Sequence, residues 1–574
     1  MQSTLQMADM IVIVGYFALM LGIGAYFYRR MRDMSDYFSG GKRIPWWLSG
    51  VSFFMSSFSV AAFVQYSAIA YEHGCVAVTL IWVTIPATLA GVMCFSLRWR
   101  RSRIDSPVEY LETRYSGAVR QLFAWHGIPV RIIDDALKLV AISLFISPIL
   151  GWSMWHSMLG AGVIMLIYTL MGGLWAVVVT DFTQFIIMAA AIGVLVPLSL
   201  ARVDGVSGFI QNAPDGFFHT MAAPYNWVWL VTTVVLFSLL YSSVQWSLIQ
   251  RYYCVPREKD AYRVGWLVVV LNIIVPPLMF LPAMAARIHM PVLPEGMEVY
   301  PAVCQTLLPT GMLGLVMAAM FAATMSMLSS DYNVCASVLT NDVYRRLYRP
   351  HATAGELVLA GRLFTLLVGS LSIGVAMLMI NLGGEDLFKA MVSLFSLAGP
   401  PVALPMLAGL MSRRVTSAGA MCGCLLGIAA GLCVYFLAPD EWALRNGTII
   451  AKQAMLIIVT VLVTGVVMTG VSMADVRLPG ERERVDAFLN RLKQPVGTLE
   501  EDRAAGSRRG AFSPFGVVGV SLLMVGILLA GSIRWTDDPL ARKMNLWIGS
   551  VLAVVGWLMA MGAWLGKPKQ EDTP

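Results

Sequence analysis

Charged side chains are scarce in this sequence. Asp, Glu, Lys and Arg make up 13% of its 574 residues, against about 25% in a soluble globular chain. That scarcity excludes a water-soluble protein of this length, whose surface needs far more polarity. Histidine is rare too, at six residues, and no paired histidine motif occurs. The eight cysteines, at 75, 94, 254, 304, 335, 422, 424 and 433, lie mostly in apolar stretches without metal-type spacing. Cys422 and Cys424 put their thiols on different faces of a helix, which reads as packing. No nucleophile elbow, phosphate loop or zinc signature is present, so the chain reads as no enzyme and as holding no transition metal. The alternating pattern of a membrane barrel is missing as well.

What the sequence does have is apolar runs of about twenty residues, the length that crosses a hydrocarbon core roughly 30 Å thick. In lipid such runs must satisfy their own backbone groups, so they read as helices. They predict an all-α membrane protein with about fifteen transmembrane helices between residues 9 and 565, among them 129–150 and 154–171. Basic residues cluster after odd-numbered runs: Arg29, Arg30, Arg32, Lys42 and Arg43; Arg98, Arg100, Arg101 and Arg103; Arg251, Arg257, Lys259 and Arg263; Arg345, Arg346 and Arg349. Under the positive-inside rule this places the amino terminus outside and the carboxyl terminus in the cytoplasm. The net charge of +7 therefore reports orientation and implies no nucleic acid. The first run lacks a small-residue cleavage site and ends on Arg29-Arg30, as a retained anchor does. The expected divisions are 1–44, a first helix and loop; 45–414, a core; 415–476, two further helices; 477–514, a charged cytoplasmic linker; and 515–574, two last helices and a tail. The Arg/Glu-rich stretch 477–510 is expected to be solvated. No soluble catalytic domain and no obligate protein partner is expected.

The informative residues are polar ones where lipid forbids them. The second run holds Ser56, Ser57 and Ser59 near its middle, and the ninth holds Thr324, Ser326, Ser329 and Ser330. Positions 323, 326 and 330 share one helix face. Such hydroxyls either bond to carbonyls one turn back and allow close packing, or line a polar site. The fourth run carries Arg131, Asp134, Asp135 and Lys138. Lys138 can meet either aspartate at i, i+3 or i, i+4 spacing. Either the pair neutralises itself and pins this helix to a neighbour, or Lys138 or a spare carboxylate lines a solute pathway.

Over roughly residues 9–473 the sequence resembles the sodium:solute symporters, which include sodium-coupled galactose, proline and sialic acid carriers. The resemblance rests on Gly41-Lys42-Arg43-Ile44-Pro45-Trp46-Trp47, on Tyr168 to Ala176 with Gly172-Gly173, on Ile249-Gln250-Arg251, and on Ser326 to Tyr344 with Asn333 and Asn341-Asp342-Val343-Tyr344. It implies a leucine-transporter-type fold, in which two inverted five-helix repeats (spans 2–6 and 7–11) with additional helices enclose a midplane site formed by broken helices. It also implies symport, with sodium as the coupling ion and a small polar or anionic organic solute such as a sugar, sugar acid, carboxylate or amino acid.

By resemblance, one sodium position uses the carbonyls of Met55, Phe58 and Ala323 and the hydroxyl of Ser326. The second hydroxyl usual there is replaced by Met327, a poor ligand for a hard cation. Another sodium position known in some members uses an aspartate with serines, here Asp181, Ser326, Ser329 and Ser330. Read without the family, Asp181 near the start of its run is also a candidate helix cap. Pocket-facing positions carry Ser57 and Ser59, while Ala61 and Ala62 stand where the sugar carrier has a polar pair. Tyr241 matches the aromatic cover on the cytoplasmic side, and Gln245 lies one turn on. Lys138 completes the solute candidates. The other readings are a membrane sensor or regulatory protein that keeps the carrier fold, and a proton-coupled transporter. The bilayer expected is a bacterial inner membrane.

Overall fold

Apolar segments with no water at hand close their hydrogen bonds along themselves, and among the described residues the regular structure is helical apart from one antiparallel strand pair, Glu441–Ala443 with Ile449–Ala451. The computed structural model describes all residues except 1–4, 29–37, 58, 294–297, 382–386, 444–448, 475–476, 478, 499–513, 537 and 566–574. The principal helices in chain order are α1 (Met7–Tyr28), α2 (Trp46–Met55), α3 (Val60–His73), α4 (Val76–Arg101), α5 (Gly117–Leu150), α6 (Met154–Leu170), α7 (Gly173–Ala201), α8 (Trp227–Val244) and α9 (Trp246–Tyr253), with short helices at Tyr110–Arg114, Gly205–Gln211 and Val299–Leu307. There follow α10 (Glu258–His289), α11 (Met312–Val338, continued by wider turns to Tyr348), α12 (Ala354–Asn381), α13 (Leu387–Met411), α14 (Ser417–Leu437), α15 (Lys452–Met473), α16 (Glu481–Lys493), α17 (Pro514–Gly531) and α18 (Pro539–Leu565).

Among the described residues, twelve helices are long and apolar enough to cross a membrane, or thirteen if the bent pair α2–α3 is one span. The chain is an integral membrane protein. The expected runs 129–150 and 154–171 correspond to α5 and α6, which fall outside that count for separate reasons. Helix α5 carries Arg131, Asp134, Asp135 and Lys138 along its middle, and α6 is short. Gly173 separates α6 from α7 with φ 56° and ψ −170°, a backbone state that a side chain would strain.

Helix α11 is the centre of the molecule. Every residue of Met312–Val338 is buried, so its hydroxyls and charge must find partners in protein rather than in lipid. It packs on α1, α5, α7 and α12. Its first turn is capped from a distance, because Asp9 Oδ1 of α1 accepts the backbone N–H groups of Gly311 and Gly314, each at 2.8 Å. A carboxylate at a helix amino terminus satisfies orphan donors and suits the dipole.

One face of the bundle is bolted by arginines onto helix-end carbonyls. Arg98 donates to the Leu410 carbonyl at 2.6 Å, Arg100 to those of Val255 and Pro256 at 2.7 and 2.9 Å, and Arg114 to those of Gly409, Ser412 and Val415 at 2.6–3.0 Å. The quoted motifs converge here as well. Trp175 Nε1 donates to the Gly40 carbonyl at 3.2 Å, and Gln250 Nε2 to that of Phe38 at 2.6 Å. Asp342 accepts from Ser106 Oγ at 2.6 Å and from Arg120.

The stretch expected to be a solvated linker departs from that reading in its first part. Helix α16 buries Val485, Phe488, Leu489 and Leu492, and Phe488 stacks on Tyr110 with ring centroids 5.7 Å apart. Buried Glu481 caps α14 by accepting from Ser417 N at 2.7 Å and Ser417 Oγ at 2.9 Å. The apolar positions in this Arg/Glu-rich segment recur at helical spacing, which composition alone conceals.

Candidate solute and cation site

Two helices are interrupted in the interior. The pair α2–α3 bends by 57° across residues 56–59, and α8 gives way to α9 at Gln245, with φ −74° and ψ 86°. Each break frees backbone groups that need partners. Part of the demand is met locally: Ser57 Oγ donates to the Phe54 carbonyl at 2.6 Å, and Ser59 Oγ accepts from Ala61 N at 3.3 Å. The rest comes from α11, where Thr324 Oγ1 accepts from Val60 N at 3.2 Å.

Between the breaks lies a cavity enclosing about 990 Å³ of space with its mouth. Its wall includes Ser57, Ser59, Ala62, Lys138, Tyr241 and Gln245, so the six solute candidates meet in one place. Met327 lines it too, as do Asp134, Phe237 and Phe395. Tyr241 donates to the Ser57 carbonyl at 3.4 Å, tying α8 to the first break. Gln245 accepts from Arg131 of α5. Most of the wall is apolar or aromatic, with a few convergent polar groups, as in ligand sites generally.

Beside the cavity stands a fully buried cluster around Asp181. Ser52 donates to Asp181 Oδ2, and Arg251 Nη2 lies 3.7 Å from the same oxygen. Arg251 also donates to Ser52 Oγ at 2.8 Å and to Ser330 Oγ at 2.7 Å, and Ser330 pairs with Ser56 at 3.0 Å. Asp181 Oδ1 and Ser326 Oγ are buried with no hydrogen-bond partner among the described residues. Ser329 donates back to the Ser326 carbonyl at 3.2 Å. Asp181 sits two turns inside α7, so it caps nothing. Met55 and Ala323 are buried, while Phe58 lies outside the described residues.

Ser52 and Arg251 belong to this cluster although the sequence reading gave them no site role, and Ser56 joins it from among the hydroxyls singled out as lining a polar site or packing. Arg251 stood in a quoted motif, and a buried arginine inside apolar sequence was the available signal. Asp331 was missed as well. It follows Ser330 and accepts from Lys138 Nζ at 2.8 Å.

A buried helical bundle with two interrupted helices, an interior cavity and a hard-oxygen cluster beside it defines a membrane carrier rather than an enzyme. The chain belongs to the sodium:solute symporter family, whose model matches residues 37–427. It is accordingly a secondary active symporter that couples sodium to the movement of a small organic solute. The chain is 27% identical over 437 residues to the sodium/sialic acid symporter SiaT of Proteus mirabilis, covering 73% of this chain and 88% of that protein. It is 28% identical over 489 residues to the sodium/myo-inositol cotransporter 2 of Rattus norvegicus, covering 75% and 70% respectively. The fold matches that of a Na+-coupled sialic acid symporter solved in a substrate-bound outward-open state, with a TM-score of 0.72, 23% identity, and coverage of 81% of this chain and 98% of that one. The architecture is thus of the leucine-transporter type.

Proposed function

We propose that the Asp181 cluster holds the coupling sodium and that the adjoining cavity holds the solute. The observation that carries this reading is that one broken helix serves both places: Ser52 and Ser56 face the cluster, and Ser57, Ser59 and Ala62 face the cavity. Sodium is a hard cation that takes oxygen ligands. Asp181, Ser326, Ser329 and Ser330 supply them, with Arg251 giving up part of its hold on Ser330 when the ion enters. The second position, at the carbonyls of Met55, Phe58 and Ala323 with Ser326, is weakened by Met327.

The solute is a small polar or anionic organic molecule contacting Ser57, Ser59, Ala62, Lys138, Tyr241 and Gln245, with Tyr241 as its cover. The names of the relatives, a sialic acid symporter and a myo-inositol cotransporter, support that class. The breaks at α2–α3 and α8–α9 open the two inverted repeats, spans 2–6 and 7–11, and α5 and α6 cross the bilayer, making about fifteen spans. The repeats lie in the 45–414 core, and 415–476, 477–514 and 515–574 are additions to it. The basic, arginine-bolted face is cytoplasmic in a bacterial inner membrane, with the amino terminus outside.

The test is uptake by proteoliposomes carrying the full chain. Accumulation is expected to need an inward sodium gradient. Uptake unchanged when choline replaces sodium, but abolished by a proton uncoupler, would replace sodium coupling by proton coupling.

A further inference from the structure

Lys138 is surrounded by carboxylates. Its Nζ donates to Asp135 Oδ1 at 3.0 Å and to Asp331 Oδ2 at 2.8 Å. Asp134 Oδ2 lies 2.8 Å away, but outside hydrogen-bonding geometry, so both Asp134 oxygens lack a hydrogen-bond partner among the described residues. All four side chains are at most 2% exposed. An ammonium group has three donors and no acceptor. With three carboxylates in contact, the charge of Lys138 is already met where it reaches the cavity wall.

Fully ionised, the charges here would not balance: Asp134, Asp135 and Asp331 would carry three negative charges against the two positive ones of Lys138 and Arg131. Arg131 is 3.8 Å from Asp134 and is otherwise engaged with Gln245 and the Val244 carbonyl. In that ionisation state one negative charge is left over, to be met by a bound proton or by a cation. A buried carboxylate without its counter-charge is costly, and the cost rises when the carrier closes and water leaves. Of the three aspartates, Asp134 alone lines the cavity. It is also the one without a hydrogen bond. Around it the wall offers the rings of Phe54, Tyr66, Phe237, Tyr241 and Phe395, surfaces that favour a cation.

We propose that the transported solute carries a primary or secondary ammonium group, and that Asp134 receives it. The missing positive charge of the α5–α11 cluster then arrives with the solute, and the neutral assembly can close. Lys138 acts through Asp134, holding it between Asp135 and Asp331 and facing the cavity. The remainder of the solute, uncharged and hydroxyl-bearing, meets Ser57, Ser59 and Gln245. This narrows the polar solutes to those of net positive charge bearing an amine, amino sugars and simple hydroxyamines included, and it rests on the cavity being the solute site.

The experiment uses the purified full chain in sodium buffer. Amino sugars and simple amines are each paired with the analogue in which a hydroxyl replaces the ammonium, a change that keeps the size and loses the charge. Thermal shift reads binding, and proteoliposome uptake reads transport. The solutes that stabilise the protein are expected to bear a free ammonium, and its replacement by hydroxyl is expected to weaken them at least about thirtyfold. Asp134→Asn is expected to level the difference between paired forms. If that variant does not fold, the paired series on the unaltered protein decides alone. A neutral or anionic solute that binds as well as any amine would overturn the proposal, as would a panel in which no amine binds. Sodium-driven uptake of a non-amine solute would sink this inference and leave the symport reading standing. Failure of sodium-driven uptake for every organic solute would sink the symport reading itself.

Discussion

The two buried charge clusters flank the same turn of α11, yet they are built differently. Around Asp181 one carboxylate faces one guanidinium, with Ser52, Ser56 and Ser330 spreading the contact. Around Lys138 three carboxylates face two cations, and few hydroxyls intervene. The balanced cluster can persist without a ligand, and admitting sodium there requires its internal bonds to shift. The other, fully ionised, keeps one negative charge until a proton or another cation enters. Ser330 and Asp331, adjacent on α11, belong one to each, so filling either cluster bears on the same helical turn.

The comparison can be broken most severely at Lys138. Lys138→Ala leaves three buried carboxylates facing Arg131 alone, and we expect a loss of about 3–5 kcal/mol of stability. Fluorescence-detected size exclusion should show little folded protein, and adding Asp331→Asn should restore part of it. Normal yield of the single variant would mean that water or another cation already shares the cluster.

The next effect should appear at Asp181. Asp181→Asn keeps an acceptor for Ser52 and for Arg251, so folding should survive. Sodium stimulation of uptake is expected to fall to the sodium-free level. Retention of normal sodium activation would make Asp181–Arg251 a structural bolt and place the ion elsewhere.

Met327→Ser sharpens the contrast in the other direction. It adds the oxygen missing beside Met55 and Ala323 and removes bulk from the cavity wall. Uptake should then depend more steeply on sodium, with a Hill coefficient above that of the unaltered protein. An unchanged steepness would show that the position lacks other ligands too.

The smallest effect is expected outside both clusters, at Glu481→Gln. The amide keeps an acceptor for Ser417 but loses the charge at the amino end of α14, worth about 0.3–1 kcal/mol. Melting temperature should fall slightly while the sodium dependence of uptake stays the same. A change in sodium dependence would mean that docking of α16 reaches the transport core.

Much of this was legible before any fold was known. The runs of apolar sequence locate helices because each run satisfies its own backbone, a local matter. Intramembrane hydroxyls and charges were visible for the same reason: each stands out against its immediate neighbours. Asp134 and Lys138 could be paired by helical spacing alone, and the structure has them 2.8 Å apart. The helical docking of α16 was hidden under its charge, since a few apolar residues at the right period weigh little in composition. The role of Asp181 stayed divided between cap and ligand because the start of α7 depends on the break at Gly173.

What the sequence by itself determined, then, is the membrane class, the helical runs and the small set of polar residues worth explaining. Only the tertiary structure decided which of them meet. Asp331 reaches Lys138 across 193 residues of chain, and Arg251 reaches Ser52 across 199. The sum of charges in a cluster is a property of residues brought together from separate helices, so no local pattern can contain it. Whether a buried lysine is free for a solute or surrounded by carboxylates follows from that sum and from its geometry, and both come into being only when α5 packs on α11.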